Sequence, residues 1–284
     1  MASRWIGCIG MLWWLLAGTA AVAQDLVHFP SLDDQHTVLD GYLYRAAGEG
    51  RHPAVVGLHG CSGMFFNGRI SALEFAWAYM FTSRGYDVLL VDSFGPRQHG
   101  EMCSIGGFDL AIYRNRPKDA YGALVWLQAQ DHVQPDRIAA VGWSQGGGVV
   151  LLSVGEPSRG RPVNLIQPDF RAAVAFYPAS CRDDRAPAGW TTKIPLLVLQ
   201  GEADVWTPAE PCKAFIDGAI ARGAKAEIVM YPGAYHAFDA PNLTKRELPN
   251  YVTRAGVVPI VATDPAARAD SQRRVGEFLG RYLD

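Results

Sequence analysis

The sequence predicts an α/β protein: a mostly parallel central sheet with helices on both faces. Three observations carry this. The apolar runs that read as strands, such as PAVVGLH (Pro53 to His59) and YDVLLVD (Tyr86 to Asp92), are continuous in Val and Leu rather than alternating, so both faces of each strand are buried. These runs take turns with longer segments of helical spacing, the pattern of a parallel sheet wrapped on both sides. Pro and Gly are spread evenly, and no repeat or low-complexity linker interrupts residues 24–284, which therefore read as one domain.

The elements follow in order. TVLDGYLYRA (Thr37 to Ala46) reads as a strand and PAVVGLH as a buried one. Ile70 to Arg84 has helical spacing and stops at Gly85, after which YDVLLVD is the next strand. Asp119 to Gln130 reads as a helix, Arg137 to Trp143 as a strand and Gln145 to Val154 as a helix. RAAVAFYP (Arg171 to Pro178) and IPLLVLQG (Ile194 to Gly201) are strands. Glu210 to Arg222 is helical, AEIVMYP (Ala226 to Pro232) a strand, and Asp264 to Tyr282 the final helix.

Residues 1–23 are a separate object. Arg4 precedes the apolar stretch WIGCIGMLWWLLAG, and AVA (Ala21 to Ala23) is a small-x-small cleavage site before Gln24. This reads as a cleaved secretory signal peptide and predicts a secreted or periplasmic protein that is not held by a membrane afterwards. Of five Cys, Cys8 lies in that leader, leaving Cys61, Cys103, Cys181 and Cys212. An even number in an exported chain points to two disulfides, and the residues alone leave three pairings open. The 284 residues are 49% hydrophobic and 19% charged, with net charge −2, and the mean hydropathy is +0.01. No Lys/Arg run or basic stripe is present, so no nucleic-acid partner is expected.

In such sheets the chemistry gathers beyond the carboxyl ends of the strands. There the motif GWSQG (Gly142 to Gly146) fits G-x-S-x-G at a predicted strand-to-helix junction. A nucleophile elbow needs this context: a sharp turn lifts the hydroxyl above the sheet, and small residues two before and two after let strand and helix pass. Ser144 is the candidate nucleophile. A serine hydroxyl needs a base, and on such an elbow the order is Ser, acid, His. Of seven His, only His236 follows Ser144, in a Gly/Pro loop after the last predicted strand. The acid that holds the imidazole is then Asp204, in the loop after IPLLVLQG; Glu202 and Asp239 are the alternatives. Two backbone N–H groups are expected to receive an oxyanion, those of Gln145 and of Cys61 in the loop after PAVVGLHG. Met64, Phe65, Phe66, Trp143, Trp206 and Tyr235 are candidates for an apolar substrate pocket. Arg97 either orders its own loop or grips a substrate carboxylate. Asn242 opens an N-x-T sequon, and Asp239 to Thr263 is a candidate mobile segment.

Together LHGCSG, DSFGPR, GWSQGG, GEADVWTP and YHAFD resemble the dienelactone hydrolase family of α/β-hydrolases, over roughly Pro53 to Phe238. The resemblance implies the α/β-hydrolase fold and carries Ser144, Asp204 and His236 over as a triad, with no metal or organic cofactor and a small-molecule ester or lactone as substrate. The namesake lactone-cleaving enzymes use Cys as nucleophile, whereas this chain has Ser, which favours general carboxylester hydrolysis. Lactone or peptide hydrolysis on the same triad, or a non-catalytic binding protein, are the rival readings. The family's strand order also makes the strands ending at His59 and Asp92 neighbours, and likewise those ending at Pro178 and Gln200. It thereby implies the pairs Cys61–Cys103 and Cys181–Cys212.

Overall fold

The computed structural model describes residues 24–284; the leader and its cleavage site lie outside the described residues. Eight strands form one sheet: β1 (Gln24–Pro30), β2 (Val38–Tyr44), β3 (His52–Leu58), β4 (Asp87–Asp92), β5 (Val133–Trp143), β6 (Ala172–Phe176), β7 (Leu196–Gly201) and β8 (Ala226–Tyr231). Their spatial order is β1-β2-β4-β3-β5-β6-β7-β8. Strand β2 runs antiparallel to both β1 and β4, and every later pairing is parallel.

Five helices cover the sheet: α1 (Ala72–Thr82), α2 (Leu110–Gln128), α3 (Gln145–Val154), α4 (Ala209–Ala221) and α5 (Pro265–Leu283). Alternate residues of each central strand enter opposite cores, because successive side chains point to opposite faces. Val56, Leu89 and Ala140 pack with Tyr121, Val150 and Phe215 of α2, α3 and α4. Val55, Leu90 and Val141 pack with Trp77, Phe81 and Phe278 of α1 and α5. This is the α/β-hydrolase fold. Among the described residues no helix is long and apolar enough to cross a membrane.

Two elements differ most from expectation; β5 also begins at Val133 rather than Arg137. Strand β1 was not anticipated: it is an edge strand with an exposed face, and Asp25 and His28 interrupt its apolar character. Helix α2 begins at Leu110, not Asp119. The reason is a cap: the Asp109 carboxylate accepts from the N–H groups of Ala111 and Ile112. Pro117 inside the helix hides this continuity, since proline normally ends one.

Candidate active site

Ser144 lies between β5 and α3 with φ 54° and ψ −114°, a sparsely populated conformation for any residue with a Cβ. The neighbours hold it there. Its N–H donates to the Phe176 carbonyl at 3.0 Å, and its own carbonyl accepts from Ala179 N–H at 2.8 Å and Gly148 N–H at 3.0 Å. A Cβ on Gly142 would stand 2.3 Å from the Gly146 carbonyl oxygen, and one on Gly146 only 2.0 Å from that of Leu58. Both positions must therefore be glycine for strand and helix to pass this closely.

His236 follows β8, in a loop pinned by the bond from Ala262 N–H to its carbonyl at 3.2 Å. Its Nδ1 is 2.7 Å from Asp204 Oδ2, and both side chains are buried. The Asp204 carboxylate is fully engaged: Oδ1 accepts from the N–H groups of Trp206 (2.8 Å) and Thr207 (3.0 Å), and Oδ2 also from the Thr207 hydroxyl (2.7 Å). An ionised carboxylate only accepts, so the pairing puts the His236 proton on Nδ1 and leaves Nε2 for the cleft. The imidazole also packs against Tyr177 and Trp206, with ring centroids 4.4 and 4.9 Å away.

The other two carboxylates do not meet His236. Glu202 is exposed. Asp239 is fully buried and accepts from Trp77 Nε1 (2.7 Å), Trp143 Nε1 (3.1 Å) and the Tyr177 hydroxyl (2.7 Å). Burial pushes its carboxyl up from the ordinary range, and burial together with the Asp239 charge pushes the Tyr177 hydroxyl well up.

Facing the elbow is the loop after β3. Disulfides join Cys61 to Cys103 (S–S 2.07 Å) and Cys181 to Cys212 (S–S 2.11 Å). The first, with the bond from Met102 N–H to the Cys61 carbonyl (2.7 Å), braces that loop. Gln145 is the first residue of α3, so its N–H has no intrahelical acceptor.

Two clefts meet at Ser144. One, of ≈450 Å³, is lined by Phe65, Phe66, Trp143, Trp206 and His236, among others. The other, of ≈340 Å³, opens toward Ile105, Phe108 and Arg254. Two expected pocket residues are not there. Met64 is 1% exposed and belongs to the core under α1, because the chain turns it inward while Phe65 and Phe66 face out. Tyr235 lies next to His236 but points away, its ring 4.2 Å from the Lys245 ammonium and its hydroxyl accepting from that group at 2.7 Å. Tyr177 and Tyr251 line the larger cleft instead. Arg97 orders its loop: it donates to Asp33 (2.8 Å), to both oxygens of Asp119 (2.8 and 2.9 Å) and to the Ser93 carbonyl. The segment Asp239 to Thr263 supplies a wall, with Tyr251 stacked on Trp206 at 5.9 Å.

Two ionisable residues at this site were not singled out from the sequence. Glu74, on α1, lines the larger cleft yet is only 3% exposed, and desolvation pushes its carboxyl up to about 7. Its trace in the sequence is the S-x-x-E spacing of Ser71 and Glu74 at a helix start. Arg116, on α2, is wholly buried and bonds to both Gln145 and His59; between Arg114 and Lys118 it reads as one of a few solvated cations.

A twisted, mostly parallel sheet with a strained serine elbow and a carboxylate-paired histidine at its carboxyl edge is the architecture of α/β-hydrolases. Within that class the chain belongs to the dienelactone hydrolase family, whose model matches residues 39–283, and it is a hydrolase of that family. It is 25% identical over 209 residues to a probable 2-oxo-3-(5-oxofuran-2-ylidene)propanoate lactonase of Bradyrhizobium sp, covering 69% of this chain and 77% of the relative. It is 26% identical over 246 residues to a quorum-quenching protein of Acinetobacter baumannii, covering 83% of this chain and 71% of the relative. Among solved structures, it resembles a dienelactone hydrolase-like promiscuous phosphotriesterase from metagenomic libraries (TM-score 0.65, 20% identity, 92% of this chain and 99% of that one). It also resembles esterase 2 of Thermogutta terrifontis (TM-score 0.61, 20% identity, 91% and 94%).

Proposed function

We propose that the protein is an exported serine hydrolase that cleaves carboxylic esters through a covalent acyl-enzyme. The observation that carries this is the 2.7 Å contact between His236 Nδ1 and Asp204 Oδ2 in the same cleft as the elbow serine. Ser144 Oγ attacks the ester carbonyl carbon while His236 Nε2 takes the hydroxyl proton. The Asp204 carboxylate, held by three donors of its own loop, keeps the imidazole in the required tautomer and stabilises the imidazolium. The N–H groups of Cys61 and Gln145 receive the negative oxygen. The C–O bond breaks, the alcohol leaves with the proton from His236, and water activated by the same imidazole releases the acid. No step calls for a metal or an organic cofactor. The leader-like residues 1–23 and the two disulfides support export.

Lactone hydrolysis is the second reading, favoured by the similarity to the Bradyrhizobium lactonase. A lactone is a cyclic ester, so the same atoms serve. Rates on matched esters, lactones and peptides separate the readings. Fluorophosphonate labelling of the purified protein tests the chemistry itself: an adduct on Ser144 is expected. With Ser144→Ala the adduct disappears and kcat falls by roughly 10⁶-fold. Full ester turnover by Ser144→Ala rules the assignment out.

A further inference from the structure

The guanidinium of Arg116 is the most unusual charge among the described residues. The residue is 0% exposed and appears in no ion pair. Its Nη1 donates to Gln145 Oε1 at 2.6 Å and its Nη2 to the His59 carbonyl at 2.6 Å. Its Nε has no partner, and its carbon lies 5.2 Å from the centroid of Phe94. The Asp119 and Asp92 carboxylates favour its charge without bonding to it, and Asp119 itself is bonded to Arg97 and to the Ser31 hydroxyl. Burial lowers the guanidinium only to about 10, so it stays charged at neutral pH. His59 beside it is kept neutral, its ring held far below the ordinary range by burial and by the Arg116 charge.

A buried charge with no carboxylate in direct contact is costly to keep, and cutting the ties that satisfy it is costly as well. The two groups Arg116 holds belong to the two walls of the site. Gln145 is one proposed oxyanion donor. The His59 carbonyl belongs to the peptide unit just before the other, Cys61. At the opposite end of that peptide, the Gly60 N–H lies close enough to the Glu74 carboxyl on α1 to favour its charged form. The loop thus lies between α1 and α2 and is tied to α2 by Arg116.

We propose that Arg116 is a positioning residue of the oxyanion hole: it locks the His59–Gly60 peptide to Gln145, so that the N–H groups of Cys61 and Gln145 converge on one point, and it places a buried positive charge behind that point. The inference rests on the serine-hydrolase reading. When the tetrahedral intermediate forms, its oxyanion develops against donors already fixed in place and a buried positive charge already present. This is stabilisation of the transition state without reorganisation of the site.

The test compares wild type, Arg116→Gln, Arg116→Lys and Gln145→Ala, using ester turnover and inhibition by a trifluoromethyl ketone, whose adduct carries the oxyanion. In Arg116→Gln, kcat falls about 10²-fold with KM within about threefold, and Ki for the ketone rises in parallel with the loss of kcat. Arg116→Lys restores the charge and one tie, and recovers about tenfold of the loss. Wild-type kcat and Ki in Arg116→Gln, a loss confined to KM, or a Lys variant no better than Gln overturns the inference. Where Arg116→Gln does not fold, Gln145→Ala decides: it cuts one tie and leaves the backbone donor, so kcat falls about three- to tenfold, and an unchanged kcat overturns the inference. A wild type with neither turnover nor an adduct on Ser144 sinks the functional reading and this inference together. An active, labelled wild type with an indifferent Arg116→Gln sinks the inference alone.

Discussion

Replacing Glu74 by Gln isolates the buried carboxyl of the larger cleft. Below pH 4.5 the side chain is neutral in both the folded and unfolded protein, so burial costs nothing extra. Above pH 7 it is charged in both, and the folded state bears the full desolvation. Stability is therefore lost as pH rises from the unfolded to the folded value. The gap from 4.5 to about 7 corresponds to about 3 kcal/mol at about 1.4 kcal/mol per pH unit. Glutamine is isosteric and neutral throughout, and its amide still meets the Ser71 hydroxyl. The assay is urea unfolding of wild type and Glu74→Gln at pH 5 and pH 8 with the disulfides oxidised. Asp239 and the other titrating groups are common to both proteins, so they largely cancel in the double difference. Part of the loss has already occurred at pH 5, so the wild type is expected to lose about 2.5 kcal/mol more than the variant between these pH values, a midpoint difference of about 1 M urea. Parallel pH dependence, within about 1 kcal/mol, refutes the reasoning, because it means that solvent reaches the carboxyl and keeps it near its ordinary value.

Two further outcomes follow from the site geometry. Asp204→Asn keeps an oxygen for the N–H groups of Trp206 and Thr207 but turns an amide toward His236 Nδ1, which forces the proton onto Nε2. kcat then falls about 10⁴-fold, about 5.5 kcal/mol, with the thermal midpoint little changed; a near wild-type rate refutes the role. Gly146→Ala drives a methyl to 2.0 Å from the Leu58 carbonyl oxygen, a contact that backbone cannot relieve cheaply. It is expected to destabilise by more than about 3 kcal/mol in urea unfolding or to yield insoluble protein, and a soluble variant with an unshifted midpoint refutes the close packing.

What the sequence discloses here is what local chemistry and chain order constrain. The central strands were legible because burial on both faces demands continuous apolar residues, as in Val88 to Val91. The elbow was legible because strand, serine, glycines and helix occupy one short stretch. Asp204 and His236 were legible through order: each stands just after a strand that ends at the same edge of the sheet. Where one residue sends competing local signals, reading failed. Pro117 masked the first two turns of α2, and Asp25 and His28 masked edge strand β1.

Asp239 shows where local reading stops. Three residues beyond His236, it stood as an alternative to Asp204 for the imidazole. In the fold its carboxylate instead gathers Trp77, Trp143 and Tyr177, which are 162, 96 and 62 residues away in the chain. Trp143 precedes Ser144, and Tyr177 packs on His236. Asp239 thus touches both sides of the site through side chains that no spacing in the sequence connects. Arg116 is the same case on the opposite face of the sheet, reaching 57 residues back to His59 and 29 forward to Gln145. The groups that perform the proposed chemistry sit at strand ends and can be found by position. The buried charges that hold those groups in place are defined only by contacts between distant segments, and become visible only once the sheet has brought those segments together.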